Sequence, residues 1–592
     1  MRRISPTRLV FGLVLVTLLA NSCQSGPTEQ PTRSSDTGSA PASTQEMPVG
    51  VRVTPRADVR YQWAPHVAID APHRGSIVDV ASLPTAPPGG TPVKPPAYST
   101  PRTIIPLEEI VRLRAEALRA RPNPNIQVLG QRPSAQAPTP GGSFEAINFD
   151  NTPTTTPPDP ELAVGPNHLI AVVNTAFEIY SKTGTTLGGP TQLNTFFLGT
   201  PGFPSGSFDP NVLYDEAADR FIIGTDANGT DYCVAASTSS NPTTTWNRYC
   251  FATDVGGAFF DYPHIGVGEE AIFLGSNQFT TGFLEGRVWA MNKANMYSGV
   301  ALGTIPSEST GSIDATPWPA DLHGFDQGTW PTGTNNHYIM TEVFDGCIHN
   351  VWTWDDPFGT GSFTKGADLD LCVATGVTAT FPIDWPNTGG NWPLSANDWR
   401  GQSTFYRNGM LWMSNQAISC NPGGGTVDCV RWAQIDPMTD TILDAGVFAS
   451  SGDYRTFASI AANHCDDMAV GYSKGATGVF PATWVTGRLS TDPPGLVGAE
   501  TVLKAGEEAY HCFDDPPQST GQRWGDYTGM TIDPDGETFW YLGEYSRSNT
   551  NPGCDWGTYI GSFSFASCDA SDGIFSDGFE SGDTTAWSNS VP

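Results

Sequence analysis

Between about residues 145 and 568, the chain alternates short apolar runs with tight polar turns. An aspartate stands before the first run of each pair, and a turn rich in Gly, Asn or Asp separates the two runs. Short apolar runs bounded by such residues predict strands that pair as antiparallel hairpins. Six such units are clear, and they begin at Asp159, Asp209, Asp261, Asp398, Asp453 and Asp526.

A seventh unit fits the gap between the third and fourth, with residues 337–344 as its second strand. A supersecondary unit that recurs every roughly 50 to 70 residues is typical of a β-propeller, in which each repeat forms one small sheet. The pattern therefore predicts an all-β fold, a β-propeller with seven blades over residues 145–568. A six-bladed ring with one enlarged blade remains the alternative. Residues 144–149 are placed to complete the last blade.

Four short motifs recur in a known group of proteins, and they lie at residues 157–159, 164–167, 262–264 and 523–527. Through them the chain resembles, across about residues 150–567, a largely uncharacterised group of secreted bacterial propeller proteins. The resemblance implies the fold but brings no catalytic residues with it. Residues 239–246 separately resemble the Asp-box turn of sialidase-type propellers, with Asn241 at the usual Asp position and Thr243 at the usual Gly position. Such turns are structural and imply no sialidase activity.

The N-terminus has the pattern of a signal peptide. Arg2, Arg3 and Arg8 precede the apolar run 9–20, which is too short to span a bilayer comfortably. Residues 19–23 resemble a bacterial lipoprotein processing site, in which Cys23 would be lipidated. An ordinary secretory signal is the alternative. Residues 1–23 thus predict export, either as a lipoprotein of the outer membrane or cell surface or as a secreted protein.

Two further segments flank the repeats. Residues 24–144 are rich in Pro, Ser, Thr and Ala and predict a linker, with one short helix near 107–120 between two prolines. Residues 569–592 form an acidic tail that resembles a terminal motif of many exported bacterial proteins, which indicates sorting or surface association. Residues 569–580 do not fit a calcium-binding EF-hand loop, because Ile574 stands where that loop requires glycine.

Ten cysteines remain after Cys23, and an even number in an exported protein indicates disulfides. The spacings fit no zinc module, so we expect no metal site at these cysteines. The pairing of Cys465 and Cys512 stays open. Sequence neighbours are expected to pair as Cys233–Cys250, Cys347–Cys372, Cys420–Cys429 and Cys554–Cys568.

The formal net charge of −31 narrows the choice of partners. The acidic excess lies in the repeat region, and such a surface repels phosphate backbones, which excludes nucleic acid as a partner. The same surface keeps an exported protein soluble and would tolerate calcium, whereas no other cofactor is indicated. We expect a monomer that contacts a membrane only through the lipid anchor.

Residues that begin the inner strands of a propeller surround the mouth of its central channel. Arg400, Arg455 and Arg523 lie beside three of the recurring aspartates, and Trp399 and Trp524 flank the same points. Guanidinium groups bind carboxylates bidentately, and aromatic faces stack on sugar rings. We therefore predict that these five residues bind an extracellular ligand, a glycan or a protein, at the channel mouth.

Whether the site is catalytic is left open by the sequence. The alternative function is a glycoside hydrolase or polysaccharide lyase acting on an acidic glycan, with Asp261, Tyr262, His264, Asp526 and Tyr527 as candidate acids, bases or nucleophiles. The opposing interpretation is that the recurring Asp and Arg residues tie neighbouring blades together. No hydrolase elbow, metalloprotease motif, phosphate-binding loop or dinucleotide motif is present.

Overall fold

A computed structural model of the protein describes residues 66–86, 103–130, 137–152, 156–331, 337–512, 522–548 and 553–568. The predicted signal peptide with Cys23 and the acidic tail at 569–592 lie outside these residues, and their functions stay predictions. No helix in the described ranges is long and apolar enough to cross a membrane.

The described residues are nearly all β, as expected, and they form seven sheets of four principal antiparallel strands. We number the sheets 1 to 7 in chain order. Sheet 1 consists of Glu161–Val164, His168–Val173, Ala176–Ser181 and Thr186–Gln192. Sheet 2 consists of Ser207–Asp215, Arg220–Ala227, Asp231–Ser237 and Thr245–Ala252. Sheet 3 consists of Phe259–Val267, Ala271–Phe279, Phe283–Asn292 and Gly303–Gly311.

Sheets 4 to 7 repeat this order, and sheet 7 takes its fourth strand from before sheet 1. Sheet 4 consists of Asp314–Pro319, His337–Val343, Ile348–Trp354 and Phe363–Lys365, and sheet 5 of Gly401–Arg407, Met410–Asn415, Val427–Asp436 and Thr441–Ala449. Sheet 6 consists of Asp453–Ala462, Met468–Ala476, Val479–Arg488 and Thr501–Lys504. Sheet 7 consists of Gly529–Ile532, Phe539–Ser546, Trp556–Ser564 and Thr139–Asn148.

The strand pairs predicted from the aspartate repeats are confirmed. Each of the six clear units supplies the first and second strands of one sheet, and the seventh unit is sheet 4. The turn between the first two strands of sheet 5 shows the local cause, since Asn408 and Gly409 both have positive φ (52° and 83°). That is the backbone of the two-residue hairpin turn that Asn-Gly favours.

The sheets contact one another in a closed order. The first strand of each sheet contacts the first strand of the next, and the first strand of sheet 7 contacts that of sheet 1. Residues from the first strands of all seven sheets, or directly beside them, line one cavity of about 70 Å³. We call the centre of this arrangement the axis. Strand Thr139–Asn148 pairs with Trp556–Ser564, so the predicted completion of the last sheet by the N-terminal strand is confirmed.

Central strands are buried along their whole length because a neighbouring sheet covers each face. Ala271–Phe279 in sheet 3 and Met468–Ala476 in sheet 6 have no residue exposed to solvent. Strands covered on both faces read as nearly continuous apolar runs rather than as a strict alternation. This explains why the apolar runs, more than their periodicity, reveal the repeat.

Two stretches of the expected linker are parts of the fold. His66–Ala71 pairs with the outer strand of sheet 3, and Ser76–Asp79 with the outer strand of sheet 2. Helix Leu107–Ala117 matches the predicted helix, and it buries Ile110 and Ala117 against residues near sheet 5. A linker therefore does not describe residues 66–86 and 103–130, since they cover sheet edges that would otherwise be open.

Other elements are short. Gln127–Val128 and Asp321–Leu322 pair in parallel with sheet 5, Ile418–Cys420 pairs with its third strand, and Leu369–Asp370 pairs with the third strand of sheet 4. The remaining helices are single turns or little longer. They are Val80–Ser82, Leu193–Phe196, Val255–Gly257, Lys293–Ser298, Leu371–Thr375 and Ala566–Cys568.

Five disulfides are present, and three of the predicted pairs are confirmed: Cys233–Cys250, Cys347–Cys372 and Cys420–Cys429. The predicted Cys554–Cys568 pair is wrong. Cys554 precedes the strand Trp556–Ser564 and Cys568 follows it, so a whole strand of about 30 Å separates them rather than a hairpin. Cys554 instead pairs with Cys512, and Cys568 pairs with Cys465.

Candidate functional site

The first strands place their opening residues through a recurring irregularity. In sheets 2 to 6, the pairing of the first and second strands shifts register near the start of the first strand. A bulge of this kind bends the strand and redirects side chains. Four of the five bulges contain a non-glycine residue in the left-handed region, namely Asp209, Tyr262, Thr316 and Phe457. Such a backbone persists only where its surroundings hold it.

Asparagines at the ends of second strands hold two of these bulges. Asn174 follows the second strand of sheet 1, and its Oδ1 accepts a 2.7 Å hydrogen bond from the backbone N–H of Asp209 in sheet 2. Asn277 of sheet 3 accepts the same bond, also 2.7 Å, from the N–H of Thr316 in sheet 4. Part of the recurring polar pattern is therefore architectural, because these bonds join one sheet to the next.

Three of the recurring aspartates meet at the axis. Asp159, Asp209 and Asp526 each offer a carboxylate oxygen, and the three oxygens lie within 4.8 Å of one another. We call these residues the carboxylate triad. They come from sheets 1, 2 and 7, which are consecutive in the closed order, so residues far apart in sequence become neighbours.

Existing hydrogen bonds orient the triad without saturating it. Asp159 accepts 2.6 Å bonds from the N–H of Asp526 and from Nδ2 of Asn174. Asp526 accepts bonds from Asn397 and from the guanidinium of Arg523. Among the described residues, no hydrogen bond reaches the carboxylate of Asp209. Because each carboxylate oxygen has two lone pairs, the triad retains acceptor capacity.

Glu544, in the second strand of sheet 7, faces the triad. A Cβ built on Gly525 would lie 3.2 Å from Oε2 of Glu544 and 3.4 Å from Oδ1 of Asp159. The missing side chain of Gly525 therefore leaves a space between the two carboxylates. Glu544 is 1% exposed, and its Oε1 has no hydrogen-bond partner.

The site crowds several carboxyl groups into a buried region, which disfavours their charged forms. Burial and then the charge of Asp526 raise the pKa of Asp159 well above its usual range. Burial and then the charge of Asp261 raise the pKa of Asp209, and burial followed by Asp159 raises the pKa of Glu544. Among the described residues, Arg523 is the one basic side chain in an ion pair with the triad.

A second group beside the triad contains three of the predicted residues. Arg400 binds Asp398 bidentately at 2.7 and 2.6 Å, and its guanidinium lies 4.4 Å from the ring centre of Tyr262. The ring centres of Tyr262 and His264 are also 4.4 Å apart. His264 stacks on Trp318, and neither ring nitrogen has a hydrogen-bond partner.

Arg455 lies in a different cluster. Its guanidinium binds Glu500 at 2.7 and 2.9 Å, and Lys474 binds the same carboxylate at 2.9 Å. These partners belong to sheet 6 or lie directly beside its strands, and none belongs to the triad. The structure thus separates Arg455 from Arg400 and Arg523, which the sequence pattern grouped together.

The aromatic residues expected to contact ligand are buried. Trp399 packs against Phe344 and Phe381, and Trp524 donates a 3.0 Å hydrogen bond to Ser473 within the core. Tyr527 is likewise buried, and its hydroxyl donates to the backbone oxygen of Pro210 at 3.2 Å. These aromatic faces pack against other side chains of the core, and the structure does not present them as the predicted stacking surface.

The chemistry available at the triad is that of clustered oxygen ligands. One carboxylate oxygen from each of the three residues lies within 4.8 Å of the other two. Carboxylates this close bind a cation, share a proton or accept hydrogen bonds from several donors. Asp261, the remaining catalytic candidate, is half-buried and acts on this site through its charge on Asp209.

Sequence reasoning missed Glu544, Asn174 and Asn397. All three lie outside the first strands, whereas the repeat pattern identifies only residues at the starts of those strands. One signal was available for Glu544, because it is the only charged residue in the otherwise apolar run 539–546. A charged residue inside a buried strand is rare unless it is paired or functional.

Neither a protein-family model nor a curated protein matches the sequence. Several solved structures are similar at a low level, and three of them serve as examples. A PL25 ulvan lyase is 9% identical, covering 59% of this chain and 81% of its own, with a TM-score of 0.33. A Trypanosoma rangeli sialidase is 8% identical (72% and 60%, TM-score 0.30), and the SapL1 lectin is 10% identical (59% and 96%, TM-score 0.30). Similarities with TM-scores this low carry no argument about fold or function.

Proposed function

We propose that the protein is an exported seven-bladed β-propeller that binds a carbohydrate at its axis. Seven sheets whose first strands contact one another in a closed order support the fold. The carboxylate triad carries the function, because three sheets bring oxygen acceptors together at the position where the blades converge. Five disulfides support export. The lipid anchor at Cys23 stays a prediction.

A neutral, hydroxyl-rich sugar suits this site better than the acidic glycan expected from the sequence. Carboxylates accept hydrogen bonds from hydroxyl groups, whereas they repel another carboxylate. Arg400, Arg455 and Arg523 are each bonded to a protein carboxylate. Their guanidinium groups are therefore already engaged and do not offer the free anion clamp that the sequence suggested.

Binding of neutral and acidic oligosaccharides to the full-length exported protein, measured by calorimetry, tests this function. We expect saturable binding of a neutral oligosaccharide, at least tenfold weaker in Asp526→Asn. The matched control is Asp326→Asn, since Asp326 is exposed and has no hydrogen bond within the described residues. Binding confined to acidic glycans, or unaffected by Asp526→Asn, contradicts the proposal.

One observation favours a second function, elimination from a uronate-containing polysaccharide. Tyr262, His264 and Arg400 converge, and burial lowers the pKa of His264 well below its usual value, which keeps the ring neutral. His264 would remove the C5 proton, a C4=C5 double bond would form as the C4–O bond breaks, and the Tyr262 hydroxyl would donate its proton to the departing oxygen. Arg400 would stay bonded to Asp398 and hold the Tyr262 ring in place.

The alternative is tested by incubating the protein with uronate-containing polysaccharides and measuring the absorbance of the unsaturated uronate that elimination would produce. If it is correct, Tyr262→Phe removes activity while the melting temperature hardly changes, since the tyrosine hydroxyl makes only a 3.5 Å bond to the backbone oxygen of Asp526. Absence of the absorbance on every uronate polymer tried excludes the lyase function and leaves the binding function standing.

A further inference from the structure

The triad is under-neutralised by the protein itself. Asp159, Asp209, Asp526 and Glu544 face one guanidinium, that of Arg523, in a region where charge is poorly solvated. An isolated buried carboxylate is costly unless a proton, a donor or a cation compensates it. The charge balance thus leaves room for a positive ligand.

Two observations independent of the triad point to that ligand. Glu544 is buried, directs its carboxylate toward Asp159 and keeps one oxygen without a partner. Asp226 is fully buried, and its Oδ2 also lacks a partner. It pairs across sheet 2 with Phe208, the residue before Asp209. Buried polar atoms are nearly always satisfied, so the orphaned oxygens of Glu544 and Asp226 indicate a missing electropositive partner.

We propose that the carboxylate triad, with Glu544, binds one divalent cation, and that the cation is calcium. All the candidate ligands are oxygens, which disfavours zinc. Protein hydrogen bonds already fix the orientations of Asp159 and Asp526. A set of carboxylates with fixed orientations suits calcium, which accepts six to eight oxygens in irregular geometry, better than magnesium, which requires a near-ideal octahedron.

This inference deepens the proposed function and rests on it in one respect: the cation would orient the sugar by accepting its hydroxyl oxygens as ligands. Calcium coordination sites that the protein does not fill are filled by water or by ligand oxygens. A neutral sugar would then bind to a centre that is negative in the absence of the metal and close to balanced in its presence.

Calcium alone, titrated into the full-length protein after treatment with chelator, provides the test. We expect one calcium per chain and a rise in melting temperature of several degrees. Asp209→Asn replaces a carboxylate ligand by a neutral and weaker amide oxygen. Gly525→Ala fills the space between Glu544 and Asp159 while keeping every charge. Each variant should weaken calcium binding at least tenfold, and Asp326→Asn should not change it. If Asp209→Asn fails to fold, the calcium affinity of Gly525→Ala alone tests the site.

No saturable binding up to about 1 mM calcium, the weak end of extracellular sites, overturns the inference. Full-strength binding in both variants does so as well, because the cation would then lie elsewhere. The oligosaccharide titration, repeated in calcium and in chelator, separates the two proposals. Calcium binding without sugar binding contradicts only the function, whereas equal sugar binding in both conditions without calcium binding contradicts only the cation site.

Discussion

The carboxylate triad and the Arg455 cluster are both groups of buried charges near the starts of first strands, yet their charges are arranged differently. In sheet 6, Arg455 and Lys474 face Asp453 and Glu500, and each charge has a direct ionic partner. At the axis, the triad and Glu544 share the single guanidinium of Arg523. One group is balanced and the other carries excess negative charge.

The difference separates architecture from function. A balanced ion pair inside a protein satisfies itself and needs no further ligand, although removing one partner leaves an uncompensated charge. An unbalanced group costs stability on its own and gains it when a ligand supplies the missing charge. We therefore assign Arg455 to the stability of sheet 6 and the triad to binding.

Removing Arg455 should have the largest effect on stability. Arg455→Ala leaves Glu500 buried beside Lys474 alone, and we expect a loss of about 3 to 5 kcal/mol in the free energy of unfolding. Denaturant unfolding measures this, with the exposed Arg119→Ala as the control. Calcium and sugar affinities should not change. A loss of ligand binding without a loss of stability would instead return Arg455 to the binding site.

The same cluster should show an acid-dependent stability. Burial alone would raise the pKa of Glu500, but the charges of Arg455 and Lys474 lower it to about 2. A lowered folded-state pKa means that the stabilisation is present above pH 4.5, the ordinary value, and is lost as the pH falls toward 2. Glu500→Gln should therefore cost about 3 kcal/mol at pH 7 and progressively less below pH 4.5. A difference that stays constant down to pH 3 would contradict the pairing.

The fold was more predictable than the site because its signal is local. Each aspartate, apolar run and polar turn specifies a hairpin within a few residues, so the strand pairs and the contribution of Thr139–Asn148 followed from sequence. The strands at residues 66–79 could not be predicted from the sequence. They pair with sheet edges more than a hundred residues away, and their composition resembles a linker.

The site depended on contacts that no spacing encodes. The sequences Asp398-Trp-Arg400 and Asp453-Tyr-Arg455 follow the same pattern, yet Arg400 binds its neighbouring aspartate bidentately while Arg455 reaches chiefly to Glu500. Which partner each arginine finds is set by the next strands of its sheet. The grouping of Asp159 with Asp526 likewise depends on closing the order of sheets, which brings the two ends of the repeat region together.

The smallest expected effect is that of Asp209→Asn on stability. It is also the most informative, because the change in stability should have opposite signs in chelator and in calcium. Asp209→Asn keeps the shape of the side chain, and asparagine tolerates the positive φ of 45° at this position. In chelator, the variant removes a carboxyl group whose pKa burial raises in the folded protein. Such a group destabilises the folded state at neutral pH, so the variant should be more stable than the wild type by about 1 kcal/mol or more. In saturating calcium, the wild type should be the more stable protein, because only it gains the full free energy of binding. Melting curves of both proteins in chelator and in calcium measure this exchange. If Asp209→Asn destabilises the protein equally in both conditions, the aspartate is a structural tie like those that Asn174 makes, and the triad is part of the architecture.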